Sequence, residues 1–171
     1  MLAVGGVVWL GYQEGDLRLS RFLGKATWPR DLGLGLAGAA ALLGLWELGR
    51  RRFDAMQQLE AQIAATIGPI ERGEVLVLAL LSGFAEELFF RGAMLLAWGP
   101  WVSAVLFALM HSGRGSAFRF WTVFALAAGG LCTLLTLVTG NLLAAIVAHV
   151  AVNAINLRRF TIDDPGGRPA F

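Results

Sequence analysis

The residues of this chain best suited to chemistry lie in one apolar stretch, residues 82–92, which reads SGFAEELFFRG. Two adjacent glutamates, Glu86 and Glu87, and the cation Arg91 interrupt a hydrophobic run that is long enough to cross a bilayer core, about 20 helical residues. An ionisable side chain at that depth costs roughly 2.5–3.5 kcal/mol on insertion scales. Because something must offset that cost, the stretch indicates a functional site inside the membrane.

Helical spacing gives the two glutamates different partners. Glu87 and Arg91 are four positions apart, so they share a face of the helix, and we expect them to form a structural ion pair. Glu86 is turned about 100° away from Glu87 and needs a partner from another helix, a proton or water. We therefore predict that Glu86 is the reactive carboxylate. Ser82, one turn before Glu86, is expected to be a small packing residue.

Both histidines of the chain lie in apolar segments. His111 follows Phe107 by four positions, so the two share a face and Phe107 could shield or orient the imidazole. His149 precedes Asn153 by four positions, and these two side chains also share a face. One buried histidine is usually a core residue, but two of two in such segments predict a shared polar site with Glu86.

A carboxylate, two imidazoles and an amide suit the attack of water on a carbonyl group. Glu86 would take the proton from water, and His111 would help to hold that water. His149 and Asn153 would donate hydrogen bonds to the oxyanion that forms. Glu86, His111 and His149 are also a possible zinc set. The H-E-x-x-H spacing of soluble zinc proteases is absent, so we favour no cofactor and keep zinc as the alternative.

The elements that must position these residues are predicted to be membrane helices. Of 171 residues, 57% are hydrophobic and 15% are charged, whereas a soluble domain is nearer half apolar and a quarter charged. The net charge is +2 and the basic residues flank the apolar runs, which excludes nucleic acid as the expected partner and favours a lipid bilayer. We predict an all-α, polytopic membrane helix bundle with about five or six transmembrane helices and one amphipathic interfacial helix.

Three parts of the chain are predicted. Residues 1–73 contain N-terminal membrane helices, including 32–48, and the amphipathic helix at 53–70, where apolar residues recur every three or four positions. This helix is expected either at the membrane interface or packed on the bundle. Residues 74–157 form the catalytic bundle, and 158–171 form a polar tail. The predicted segments of the catalytic bundle are 74–98, 101–111, 118–138 and 142–157, with a helix break at Gly99 and Pro100.

Length and charge also predict the character of the N-terminal region and the orientation of the termini. Residues 1–12 are apolar but short for a full span, and residues 13–31 are expected to be a polar connection. With six crossings, both termini share one side of the membrane, which then carries nine basic residues against four on the other side. By the positive-inside rule, we expect cytoplasmic termini.

The motifs resemble a known family. Glu86-Glu87-x-x-x-Arg91, Phe107-x-x-x-His111 and His149-x-x-x-Asn153, in that order on apolar segments, resemble those of the CAAX protease and bacteriocin-processing (CPBP, or Abi) intramembrane proteases. The resemblance covers about residues 74–157, half of the chain.

The resemblance implies a membrane cavity in which peptide bonds of membrane-associated peptides or proteins are hydrolysed. By analogy, Glu86 and His111 activate water, and His149 and Asn153 form the oxyanion site. Family members are commonly labelled metalloproteases, and some serve in immunity to bacteriocins. A zinc metalloprotease and a non-catalytic immunity or binding protein therefore stay open. The composition resembles bacterial proteins, so we expect the bacterial inner membrane.

Overall fold

The computed structural model describes residues 1–14, 27–68 and 70–161 of the chain. Within those ranges the chain forms helices and no strand, which confirms the predicted all-α class. The helices are α1 (Leu2–Glu14), α2 (Trp28–Arg52), α3 (Asp54–Ile67), α4 (Arg72–Glu87), a π-helical segment (Leu88–Met94), α5 (Leu95–Met110), α6 (Ser116–Thr139) and α7 (Leu143–Thr161).

Several stretches of helix are long and apolar enough to cross a membrane. In the described part of the chain they are Trp28–Arg52, Arg72–Met110 and Ala117–Thr139. The chain is therefore an integral membrane protein. The predicted number of crossings, about five or six, also includes shorter segments such as α1 and α7, and it stays a prediction.

The long stretch Arg72–Met110 is a hairpin rather than one rod. Its backbone leaves the helical region at Gly99, where φ is 80° and ψ is 175°, and Pro100 follows. Glycine tolerates that positive φ because it has no Cβ. The predicted break is confirmed. Beyond it the second arm packs back on the first, and the Phe107 ring lies 5.2 Å from the Phe90 ring.

Most observed bounds differ from the predicted ones by a few residues. α2 begins at Trp28 rather than at residue 32, because Pro29 in the first turn has no helical N–H bond to lose. It also continues beyond the apolar run through Arg52. α7 extends past the predicted end at residue 157 to Thr161. Of the predicted polar connection, residues 15–26 lie outside the described ranges, as do residues 162–171 of the predicted tail.

α7 is the central helix of the bundle. It packs against α2, α4 and α6. Glycines allow the closest of these approaches: a Cβ at Gly35 of α2 would lie 2.6 Å from the Ala144 carbonyl oxygen, and one at Gly83 of α4 would lie 2.8 Å from Val150 Cγ2. Small residues let membrane helices approach in this way. The backbones of α2 and α4 therefore lie against α7, close enough for short side chains to meet.

The amphipathic helix α3 packs its apolar face on the bundle. Met56, Leu59 and Ala64 are buried in a cluster with Trp46 of α2. The Trp46 Nε1–H group also donates a hydrogen bond of 2.7 Å to Glu60 Oε1. This helix was expected at the membrane interface or packed on the bundle, and in the structure it packs on the bundle.

A polar clasp joins the start of α2 to the turn between α6 and α7. The fully buried Asp31 accepts hydrogen bonds from Asn141 Nδ2 at 2.8 Å and from Thr27 Oγ1 at 3.0 Å. Asn141 Oδ1 accepts one from the Leu143 N–H group at 2.9 Å, which caps α7. The clasp thus fixes where α7 begins relative to α2.

Candidate active site

Three segments bring the predicted residues together. Glu86 lies in the last turn of α4 on one arm of the hairpin, His111 directly follows α5 on the other arm, and His149 lies in α7. The Nε2 atoms of His111 and His149 lie 3.6 Å and 3.8 Å from Glu86 Oε2. The expected juxtaposition of one carboxylate with two imidazoles is therefore present.

The Glu86 carboxylate has an unused acceptor. Its Oε2 atom is buried and has no hydrogen-bond partner among the described residues. Both imidazole separations exceed the usual range of 2.7–3.2 Å for a direct N–H···O hydrogen bond. Polar groups at such separations are commonly bridged by water. The geometry therefore suits a water molecule held between Glu86 and the imidazoles.

Glu87 forms the predicted pair and has a second role. Its Oε1 atom accepts a 2.8 Å hydrogen bond from Arg91 Nη1 and a 2.6 Å hydrogen bond from His149 Nδ1, and its side chain is fully buried. Because a carboxylate only accepts, His149 carries a proton on Nδ1, and its Nε2 atom faces Glu86. No local pattern predicted this contact, since 62 positions separate the two residues.

Arg91 is held by more than its partner carboxylate. Its Nη2 atom donates a 2.9 Å hydrogen bond to the Gly129 carbonyl oxygen of α6. Its guanidinium carbon also lies 4.4 Å from the centre of the Phe107 ring, a cation–π contact. A Cβ at Gly129 would approach Phe107 Cδ1 to 3.1 Å and Arg91 Nη2 to 3.4 Å. These contacts offset part of the cost of burying the charge.

Phe107 orients His111 in two ways. Its carbonyl oxygen lies 2.8 Å from His111 Nδ1, and its ring centre lies 4.5 Å from the imidazole centre. Since a carbonyl only accepts, His111 carries a proton on Nδ1 and presents Nε2 toward Glu86. Phe107 therefore both shields and orients this histidine, and its ring also lies 5.7 Å from the ring of His149.

The π-helical segment begins directly after the two glutamates. Within it, the Leu95 N–H group donates to the Phe90 carbonyl oxygen five residues earlier, which also accepts a 2.8 Å hydrogen bond from Ser103 Oγ of the other arm. Such segments are rare and are frequent at functional sites. No feature of the sequence predicted this one, because the pattern of apolar residues through it is compatible with an ordinary helix.

An open pocket lies beside the polar cluster. His111, His149 and Asn153 line one part of it, and apolar residues such as Leu42 and Trp121 line the rest. It holds about 400 Å³ of empty space, counted to its open mouth. A group bound there would lie next to both imidazoles.

Asn153 has a partner that sequence reasoning missed. Its Nδ2 atom donates a 3.0 Å hydrogen bond to Ser82 Oγ on α4. Ser82 is therefore more than the expected packing residue.

The zinc alternative needs three side chains placed to hold one metal ion. Glu86, His111 and His149 are close together, but among the described residues no group of three or more His, Cys, Asp or Glu side chains is arranged to hold a metal ion. The zinc alternative stays a prediction.

Two comparisons relate the chain to known proteins. A family model described as "Type II CAAX prenyl endopeptidase Rce1-like" matches residues 70–155, which include every residue of the three motifs. The "Uncharacterized protein YpbD" of Bacillus subtilis (strain 168) is 34% identical over 86 residues, 47% of this chain and 42% of that protein. The chain thus spans less than half the length of this curated relative. No solved structure matches the chain.

Proposed function

We propose that this chain, which belongs to the Rce1-like family of type II CAAX prenyl endopeptidases, is an intramembrane endopeptidase. It would hydrolyse peptide bonds of membrane-associated peptides or proteins. The observation that carries the proposal is the buried, unpartnered Oε2 atom of Glu86, which faces the Nε2 atoms of His111 and His149 within 4 Å. This is the arrangement that a carboxylate needs to activate a bound water.

In the proposed reaction, a water held by His111 Nε2 loses a proton to Glu86. The water oxygen attacks the carbonyl carbon of the scissile peptide, and the carbonyl oxygen becomes an oxyanion. His149 and Asn153 donate hydrogen bonds to that oxyanion. Glu86 then passes its proton to the leaving nitrogen, the C–N bond breaks, and a carboxylic acid and an amine leave. The carboxylate of Glu86 is thereby restored.

The role of His149 requires a second ring proton. Its Nδ1–H group is already committed to Glu87 at 2.6 Å, so donation from Nε2 needs the imidazolium form. Glu87 is therefore a supporting residue that orients His149 through Nδ1, and Arg91 in turn pairs with Glu87. Neither residue is proposed to touch the substrate.

The proposed substrate lies in or at the membrane. The pocket beside the two histidines is walled by apolar and aromatic side chains, among them Leu42, Trp121 and Phe124, which suits an apolar residue next to the scissile bond. We propose the bacterial inner membrane as the location from the composition of the chain, and cytoplasmic termini from the distribution of its basic residues.

The first test is peptide cleavage by the full chain purified in detergent, measured with a quenched fluorescent library beside Glu86→Gln. Loss of the general base is expected to lower cleavage by at least about 100-fold, and a strong chelator is expected to change nothing. Glu74→Gln is the matched control. Glu74 lies in the first turn of the same helix, where it accepts a backbone hydrogen bond in a capping box that glutamine also supports.

Each contrary result has a definite meaning. Full activity of folded Glu86→Gln would refute the proposed reaction. Activity lost to the chelator and restored by zinc would favour a metalloprotease that uses Glu86, His111 and His149. If the wild-type chain cleaves nothing, the non-catalytic binding or immunity protein becomes the better hypothesis.

A further inference from the structure

We infer that Ser82 is a positioning residue: its hydroxyl fixes the amide of Asn153 so that an N–H group faces the oxyanion. The inference rests on the proposed function, because it assigns Ser82 a role through Asn153. It adds a residue that lies outside the three sequence motifs.

The hydrogen bonds of Ser82 determine which way the Asn153 amide is turned. Ser82 Oγ lies 2.7 Å from the Leu78 carbonyl oxygen. A carbonyl only accepts, so the hydroxyl hydrogen of Ser82 is committed to Leu78. Toward Asn153, at 3.0 Å, Ser82 Oγ can therefore only accept. The amide nitrogen must face Ser82, because the flipped amide would bring two acceptor oxygens together.

One N–H group of Asn153 remains after this contact. An asparagine amide has two N–H hydrogens, and Ser82 accepts one of them. Asn153 also lines the pocket beside His149. With the nitrogen fixed toward α4, the second hydrogen is available to an oxygen bound in the pocket, and the amide loses no rotational entropy when the oxyanion forms.

The packing of α4 on α7 makes this contact possible. The helices are antiparallel, and Gly83 lets them approach so closely that a Cβ there would lie 2.8 Å from Val150 Cγ2 and 3.2 Å from the Val150 nitrogen. At that separation the short Ser82 side chain reaches Asn153. One turn further along, Glu87 contacts His149. Two side chains of α4 thus hold the proposed oxyanion donors: Glu87 accepts a hydrogen bond from His149, and Ser82 accepts one from Asn153.

The test compares Ser82→Ala with Ser82→Thr in the cleavage assay. Ser82→Ala is expected to lower kcat about 10-fold, less than the 10²–10³ lost with an oxyanion donor itself, while KM changes less than about 2-fold. Ser82→Thr keeps a hydroxyl and is expected to retain most of the activity. Thr136→Val is the control. The Thr136 hydroxyl also donates to a carbonyl four residues earlier, that of Cys132, but on α6.

A double-mutant cycle separates positioning from a general structural effect. In the Asn153→Ala background, Ser82→Ala is expected to cause no further loss, because the group it positions is gone. An equal fold-loss in both backgrounds would overturn the inference, as would wild-type kcat in folded Ser82→Ala. Should Ser82→Ala fail to fold, Ser82→Cys, a weaker acceptor of similar size, is held to the same criteria.

The failure of this inference differs from the failure of the proposed function. If Glu86→Gln is inactive and Ser82→Ala cleaves like wild type, the enzyme stands and the role of Ser82 falls. If the wild-type chain cleaves no peptide, the proposed function falls and this inference falls with it.

Discussion

At the scale of single residues, the site depends on balanced charge among fully buried side chains. Glu87 and Arg91 have fully buried side chains and share a 2.8 Å contact, and the same Glu87 oxygen binds His149. Breaking such a pair leaves a buried charge uncompensated, which costs more than the pair itself contributes. Glu87 thus both pairs with Arg91 in the fold and holds His149 for the proposed chemistry.

Arg91→Met is expected to destabilise the folded chain by roughly 3–5 kcal/mol, because Glu87 then remains buried without its cation. The double variant Glu87→Gln/Arg91→Met removes both charges and is expected to recover part of that loss. Thermal unfolding in detergent measures both effects. Arg72→Met, at an exposed position where α4 begins, is the control. An Arg91→Met variant as stable as wild type would refute this account.

At the scale of elements, the site depends on how closely α4 approaches α7. Both cross-helix hydrogen bonds, from Asn153 to Ser82 and from His149 to Glu87, require the contact at Gly83. A helix moved outward by one methyl group would lengthen both bonds at once. Catalytic geometry tolerates little displacement of that kind.

Gly83→Ala is expected to lower kcat more than 10-fold, because the new Cβ must displace Val150 and with it the α4–α7 contact. Val150→Ala removes the Cγ2 atom that lies 2.8 Å away. Combined with Gly83→Ala, it is expected to restore part of the activity, as measured by initial rates of cleavage. The control is Gly73→Ala on the same helix, which meets nothing within 4 Å. If Gly83→Ala is as active as Gly73→Ala, the close approach is not needed.

The sequence predicted those features of the site that lie within one helix. The Glu87–Arg91 pair and the contact of Phe107 with His111 follow from a spacing of four residues, and both are present. The sequence also predicted that Glu86, His111 and His149 share one site, but not which other side chains meet between helices. Ser82 and Asn153 are 71 positions apart, and their meeting depends on the packing of two helices rather than on any local pattern. The π-helical segment also had no local signal.

At the scale of the whole molecule, a structural clasp lies apart from the polar cluster. Asn141 is 2% exposed and joins Asp31 of α2 to the start of α7. The helices α2 and α7 then pack along their lengths. Among the described residues, the hydrogen bonds of the clasp involve none of the residues of the proposed reaction, so the clasp is expected to serve stability alone.

Asn141→Ala is expected to lower stability by about 1–3 kcal/mol, because the buried Asp31 oxygen loses a donor and the Leu143 N–H group loses its cap. The folded fraction is expected to keep the wild-type kcat. Thermal unfolding measures the stability, and initial rates of cleavage per folded protein measure kcat. Thr66→Ala is the control, since that exposed hydroxyl donates to the Gln62 carbonyl oxygen at the end of α3. A large fall in kcat with unchanged stability would contradict this expectation.

The lengths of the two hairpin arms, measured from the bend at Gly99, determine where Glu86 and His111 lie. Glu86 and His111 lie almost equally far from the bend along their two arms, and their side chains face each other at 3.6 Å. At about 1.5 Å per residue, the site is held roughly 18 Å from the bend. An extra helical turn inserted in one arm would separate Glu86 from His111 along the hairpin. Only insertions of equal length in both arms would keep Glu86 in contact with His111. The lengths of the two arms are therefore constrained together, and they set the distance of this contact from the bend.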